Sequence, residues 1–508
     1  MKKNLLLLAG IVIVLVACVR PANSTDSFIP AGATSGPSTQ ETAALGQLMS
    51  TGTLPAPIPT ALLRTPTPDQ PKTLPTPRAR EEKYTVQPND TLGIISRKYG
   101  VDIDLIVSAN KPANPNLLSV GQVLTIPVAP LKDPGPAFKI IPDSELVLGP
   151  KTTGFSIQDF VAAKKGYLAQ YVETVDERSY SGAQVIERVA QEYSVNPRLL
   201  LAVLEYQSGW VTHPTSPDNR RDYPMGRVDA FRKGLYKQMA WAANMLNRGY
   251  YLWRVNGISS LLMTDGSLVP IAPQINAGTA GVQHFFSTLS DLPTWEQAVT
   301  EKGLFATYNQ LFGYPFNYSF EPVLPVGLTQ PKMQLPFEPG VRWSFTGGPH
   351  GGWGDGSAWA AIDFGPPEEG GGCRISNAWV VAVADGVIVH SDLGAVIQDL
   401  DGDGNERTGW SILYMHIQTT GRVAAGTRLK AGERIGHPSC EGGVSNGTHT
   451  HIARRYNGEW IPADGSIPFN LDGWISEGTG TEYYGSLKRN GKVLEAWDTK
   501  TTTNQIER

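Results

Sequence analysis

The chain has 508 residues, too many for one hydrophobic core, so several modules are expected. Lys and Arg number 43 against 47 Asp and Glu, a net charge of −4 with no basic patch, which argues against a nucleic-acid partner. Only three cysteines occur, Cys18, Cys373 and Cys440.

Lys2 and Lys3 precede an apolar run, Leu5 to Ala17, that ends in Leu15-Val16-Ala17-Cys18. The run is shorter than the ~20 residues a spanning helix needs. It resembles a bacterial lipoprotein signal with its lipobox, spanning residues 1–18. The resemblance implies lipidation of Cys18 and a mature chain anchored on the extracytoplasmic side of the cell membrane. Cys373 and Cys440 are then an even pair in an exported protein, which predicts a disulfide. Residues 19–82 are rich in Pro, Thr, Ser, Ala and Gly, with no periodic apolar positions, and are expected to form a disordered tether. At ~3.1 Å per residue it would reach on the order of 200 Å.

Residues 83–128 read as strand, helix, helix, strand. Tyr84-Thr85-Val86 is a short strand. Asp90 is placed to cap a helix carrying Leu92, Ile95 and Tyr99, Asp102 opens a second with Leu105, Ile106 and Ala109, and "GQVLTIP" closes as a strand. "YTVQPNDTL", "IISRKYGV", "LIVSANK" and "LLSVGQVLTIP" resemble a LysM module over its whole length. The resemblance implies binding of N-acetylglucosamine-containing glycan such as peptidoglycan. The groove would be formed by the two strand–helix connections, with Asn89, Asp90, Thr91, Asn116 and Leu117 as the expected contacts.

Residues 150–325 carry helical periodicity at Val185, Ile186, Val189, Leu200, Leu201 and Leu204, and again at Met239, Trp241, Ala242 and Met245. "VAQEYSVNPRLLLAVLEYQSGW" resembles the start of a lysozyme-like lytic transglycosylase. That family places its general acid, a glutamate, immediately before Ser-Gly-aromatic. Here Gln207 stands there, and an amide has no such proton to give. Glu205 is about 200° away around a helix and is a poor substitute unless the helix ends there. A degenerate module that binds glycan or spaces its neighbours is expected.

From about Leu335 glycine-rich turns separate short apolar runs, a pattern of antiparallel strands. In "THTHIA", read as a strand, His449 and His451 face the same side about 6.6 Å apart, which suits one metal ligand and one neighbour. His350, His416, His390 and His437, with Asp363, are the other candidates in this region; His213 and His284 belong to the helical one. Two imidazoles and a carboxylate would make a zinc site with an open fourth position.

Residues 333–495 resemble the LytM/lysostaphin-type zinc endopeptidases of peptidoglycan, most closely the β-lytic branch. The matching blocks are "GGPHGGWGDGSAWAAIDF", "LYMHI" and "CEGGVSNGTHTH". In the commoner branch a histidine precedes the aspartate by four residues; here that place is Trp359, and His350 lies thirteen residues before Asp363 instead. The resemblance implies His350, Asp363 and His451 as zinc ligands, His449 as general base, and His416 as a hydrogen-bonding partner of the water or oxyanion. "DLDGDGNERTGW" alternates Asp399, Asp401 and Asp403 before Gly404, a spacing that suits calcium, although Trp410 occupies the EF-hand's glutamate position. "YYGSLKRNGKVLEAW" reads as a hairpin, and the polar residues 496–508 are expected to fray.

The expected protein is multidomain: an α+β LysM module, a mostly α module, then a mainly antiparallel β metallopeptidase. It is expected to be a zinc-dependent cell-wall endopeptidase; the alternative is a non-catalytic wall-binding regulator.

Overall fold

The computed structural model describes residues 72, 80–88, 90–112, 114, 118–128, 133–368 and 371–508. Cys18, the tether up to residue 71, and the expected glycan contacts Asn89, Asn116 and Leu117 lie outside the described residues. Among the described residues no helix is long and apolar enough to cross a membrane.

The first module is βααβ as read. Strand Glu82–Thr85 pairs antiparallel with Val123–Ile126, and helices Leu92–Tyr99 and Ile103–Asn110 lie between them in sequence. Val86, Leu92, Ile95, Val101, Ile106, Leu124 and Ile126 form its core. One detail is corrected. The first helix is capped by Thr91, whose hydroxyl accepts from the Ile94 amide at 3.2 Å. Asp90 sits one residue too early and instead accepts from the Tyr84 hydroxyl at 2.6 Å and the Gln87 amide at 2.7 Å. Asp102 caps nothing with its side chain; its Oδ1 accepts from the Leu268 amide, 2.6 Å away in the helical module.

The middle region is helical, with two small hairpins. A capping box, Ser181 with Gln184, starts the helix Gly182–Tyr193, and Asn196-Pro197 starts Pro197–Ser208. The long helix Leu235–Arg254 packs on Ala277–Ser287, where Gly249 and Gly281 let the backbones approach closely. Glu321 accepts from the buried Asp143 amide at 2.7 Å, and burial together with the Asp143 charge pushes its carboxyl up to about 7. The folded state thus holds a proton there that the unfolded chain releases near its ordinary 4.5. Stability from this group is full below about pH 4.5 and is lost as pH rises towards 7. Glu321→Gln is expected to melt higher than the parent at pH 8 and alike at pH 4, as measured by thermal unfolding at both.

The C-terminal region is built on a nine-stranded antiparallel sheet. Its spatial order runs Arg428–Leu429, Gly386–Asp392, Ala395–Asp399, Trp410–Met415, Thr450–Tyr456, Ala361–Gly365, Arg342–His350 and Gln505–Glu507, with Glu459–Trp460 paired off the path. The last strand is a correction. Residues expected to fray instead pair with Arg342–Ser344, bury Ile506, and use the Asn504 amide to satisfy the carbonyls of Phe345, Trp497 and Thr499. The hairpin near the C-terminus is as expected, Gly485–Arg489 against Lys492–Glu495.

Alternation gives the sheet two apolar faces. Ile362, Phe364, Ile412, Tyr414 and Ile452 face a core with Leu335, Phe337 and Val380. Ala361, Ala395, Ile397, Leu413, Met415 and Ala453 face the other way, into the core of the helical module. The two regions therefore share one interior. Polar bonds reinforce the seam: the Trp460 amide to the Tyr251 hydroxyl at 2.9 Å, Ser194 Oγ to the Gly458 carbonyl at 2.7 Å, and Gln191 Nε2 to Glu406 Oε1 at 2.7 Å.

Candidate metal centre

Strand register assembles the centre. His451 pairs directly with Asp363 on the neighbouring strand, and Met415 pairs with His451 on the other side. Residues directly opposite project to the same face, so Asp363 and His451 converge. His416, the residue after that strand, takes a left-handed backbone conformation, φ 63°, that turns it away from the ladder. Two register shifts in Arg342–His350 place Gly347 opposite Asp363 and carry His350 to the strand's end. Gly347 is required there: a Cβ would sit 2.6 Å from Asp363 Oδ2. The strand holding His451 begins at Thr450, two residues later than read, and His449 makes an isolated bridge with Ser439.

Three atoms face one another: His350 Nε2, Asp363 Oδ1 and His451 Nδ1. His350 and His451 nitrogens are 3.0 Å apart, and each is 3.2 Å from Asp363 Oδ1. Tetrahedral zinc with bonds of about 2.0–2.1 Å spaces its ligands roughly 3.3 Å apart, so the triangle fits that ion. Backbone carbonyls decide which nitrogens carry hydrogen, because a carbonyl only accepts. His350 Nδ1 donates to the Gly348 carbonyl at 2.8 Å, and His451 Nε2 to that of Gly352 at 3.1 Å. The remaining ring nitrogens turn lone pairs on Asp363 Oδ1, which is buried and makes no hydrogen bond. All three residues are at most 7% exposed. Three electron-pair donors aimed at one buried point call for a cation.

Electrostatics agree. Burial opposes the charge on Asp363, but His350 and His449 outweigh it and hold the carboxyl well below the usual range. Burial lowers His451, leaving its ring neutral; His350 is also penalised by burial, but Asp363 raises it overall, so acid sets a proton in competition with the metal.

Two further imidazoles flank the triangle, with ring centres 4.4 Å apart. His449 Nδ1 donates to the Gly447 carbonyl at 2.7 Å, and its Nε2 lies 3.8 Å from Asp363 Oδ2. His416 Nδ1 donates to the Glu441 carbonyl at 3.1 Å. Burial, aided by His449 and His451, pushes the His416 ring down to about 3. This refines its expected role: a neutral ring with hydrogen on Nδ1 accepts at Nε2, so it can orient a water but cannot donate to an oxyanion unless first protonated. The Cys373–Cys440 disulfide is formed, and it ties the turn carrying Glu441 to the loop beside Thr448, which bonds to Gly372 and Arg374.

Sequence reading missed Tyr483, whose ring stacks on His350 at 4.2 Å between centres. It also missed the four orienting carbonyls, of which only the density of glycine around His350 and His449 gave a sign. His390 lies in the strand Gly386–Asp392, and His437 follows Arg434–Gly436; neither joins the centre.

The other expected sites separate. Asp399, Asp401 and Asp403 come within mutual reach of one ion. Their oxygens already accept from turn amides, Asp399 from Asp401 and Gly404, Asp401 from Asp403, and Asp403 from Asn405; Glu406 points away to Arg455. In the helical module the helix does end at Ser208, just after Gln207. Glu205 nevertheless accepts from the Val211 and Thr212 amides at 2.9 and 3.1 Å and from the Thr212 hydroxyl, so it serves the turn. In the first module, Asp90 and Thr91 have their side-chain oxygens committed to local bonds.

Lone pairs converging from two adjacent strands and a strand end, beside two uncoordinated imidazoles, are the equipment of metal-assisted peptide hydrolysis. This is the arrangement that the resemblance of residues 333–495 to the LytM/lysostaphin-type zinc endopeptidases implies, and it follows a LysM module in the chain. Residues 84–127 match the family model of the LysM domain, and residues 139–324 match that of the LasA N-terminal domain. Protease LasA of Pseudomonas aeruginosa is 25% identical over 325 residues, which is 59% of this chain and 72% of that protein. The secreted LysM effector ECP6 of Passalora fulva is 53% identical over 45 residues, 9% of this chain and 20% of that one. Among solved structures, the M23 metalloprotease pseudoalterin from the deep sea is 23% identical, with a TM-score of 0.28, covering 36% of this chain and 100% of that chain.

Proposed function

We propose that this chain is a lipid-anchored cell-wall hydrolase that cuts peptide bonds in the stems or cross-bridges of peptidoglycan, zinc-dependent and held on its substrate by the LysM module. The observation that carries the reading is the buried, hydrogen-bond-free Asp363 Oδ1 facing the lone pairs of His350 and His451. Zinc bound there would polarise the scissile carbonyl and make water a stronger acid.

The chain's own groups supply the rest. His449 Nε2 has a lone pair, because Nδ1 is committed to Gly447, and it takes the proton of the attacking water. The imidazolium so formed is the donor that returns the proton to the leaving amine. His416, neutral and held by Glu441, accepts from the same water and fixes its direction of attack. Asp363 Oδ2, 3.8 Å from His449 Nε2, favours the charge that His449 acquires.

Lipid anchoring rests on the lipobox around Cys18, and glycan targeting on the LysM match. For the Asp399–Asp403 turn, carboxylates already capping amides support an acidic hairpin; a rise in melting temperature with added calcium, and none with magnesium, would assign calcium instead.

Digestion of purified peptidoglycan by the full chain, with and without chelator, tests the reading. New amino termini that vanish with chelator and return with zinc are expected. Reducing ends would mean a glycosidase, and a chain that holds no zinc and cuts nothing would be the non-catalytic regulator.

A further inference from the structure

We propose that Asn244, on the helix Leu235–Arg254 of the helical module, is a positioning residue for the metal centre. It holds the loop from which the Gly352 carbonyl sets the tautomer of His451. The inference rests on the zinc reading above and extends it to a residue in a different module from every ligand.

His451 presents a lone pair at Nδ1 only while Nε2 carries the hydrogen, and Gly352 receives that hydrogen at 3.1 Å. Gly352 belongs to "GGWGDGS", Gly351 to Ser357, a segment with four glycines in seven residues. Such a segment has little conformational preference of its own. Its internal bonds, Trp353 amide to Ser357 Oγ at 3.0 Å and Gly352 amide to the Ala358 carbonyl at 3.0 Å, close the loop without fixing where it lies.

The helix fixes its place. Asn244 Oδ1 accepts from the Gly356 amide at 2.9 Å, its Nδ2 donates to Asp355 Oδ1, and Arg248 donates to the Asp355 carbonyl at 3.3 Å. The glycines make this contact a surface fit. A Cβ on Gly354 would stand 2.6 Å from Asn244 Oδ1, and one on Gly356 would collide with the Asn244 carbonyl. At the near end of the loop a Cβ on Gly352 would strike the Trp460 ring at 2.6 Å, and the Trp460 amide is itself bonded to Tyr251 of the same helix. One helix thus braces the loop through Asn244 and, through Tyr251, the ring against which Gly352 rests. A displaced loop takes the Gly352 carbonyl with it, and His451 is then free to place its hydrogen on the nitrogen that should face the metal.

The test measures zinc affinity of the full-length chain by competition with a chromogenic chelator. Parent, Asn244→Ala, Asp355→Ala, Gly356→Ala and, as control, Gly371→Ala are compared; Gly371 has open space around it. Asn244→Ala and Gly356→Ala are expected to weaken zinc binding about 10-fold or more, Asp355→Ala less, and Gly371→Ala not at all. Imidazole nitrogen NMR of the zinc-free proteins supplies a readout that general destabilisation would not move: His451 is expected as the Nε2–H tautomer in the parent and as a mixture in Asn244→Ala. If the parent binds zinc and both Asn244→Ala and Asp355→Ala bind it equally well, with the tautomer unchanged, the positioning role is wrong and the zinc reading stands. If the parent binds no zinc, both fall.

Discussion

His350→Ala is expected to abolish peptidoglycan cleavage and to weaken zinc binding by more than the about 100-fold that loss of an outer-shell partner costs. His350 supplies one of three atoms spaced 3.0–3.2 Å apart, and two donors cannot enclose the ion. The substitution also removes from the buried Asp363 the partner that does most to keep it ionised. Zinc content by chelator competition and amino-terminus release are the measurements. Retained zinc with lost cleavage would make His350 a structural residue and would move the ligand set elsewhere.

The second large effect separates chemistry from metal binding. His449→Ala is expected to lower kcat by about 10²–10⁴-fold, the usual worth of a general base. Zinc affinity should stay near the parent value, because His449 Nε2 approaches Asp363 Oδ2 on the side away from the ligand oxygen. His416→Ala should cost less, since that ring orients water without taking its proton in the first step. Loss of zinc in His449→Ala would make it a ligand; an unchanged rate would pass the base role to His416.

The three residues that converge, His350, Asp363 and His451, could be named from the sequence because few side chains can hold a metal. With eight histidines in the chain and the glycine-flanked blocks around His350 and His451, little room for other choices was left. The fold class followed from the switch between helical and alternating periodicity. What pattern could not show is set by backbone geometry and by distant packing. The carbonyls of Gly348, Gly352, Gly447 and Glu441 carry no residue-type signature, yet they determine which nitrogen of each imidazole is available. The left-handed turn at His416 is equally silent in a sequence. The terminal strand was hidden for a related reason: Gln505–Glu507 looks like a polar tail until the sheet edge supplies its partner. Asp90 and Thr91 are both good caps, and a one-residue difference in where the helix starts decided between them.

The shared interior described above makes the molecule mechanically lopsided. Composition changes near residue 335, but the sheet and the helices are joined by a broad apolar face and a row of polar bonds, so a C-terminal region cut free at that point would expose Leu413, Met415, Ala453 and Trp460 to water. The LysM module meets the helices over much less surface, where Asp102 bonds to Leu268 and Gly93 rests on Leu262. A pull between a gripped glycan strand and the body of the protein would therefore be taken up first at that narrow contact, leaving the metal centre and the helix that braces it undistorted under load.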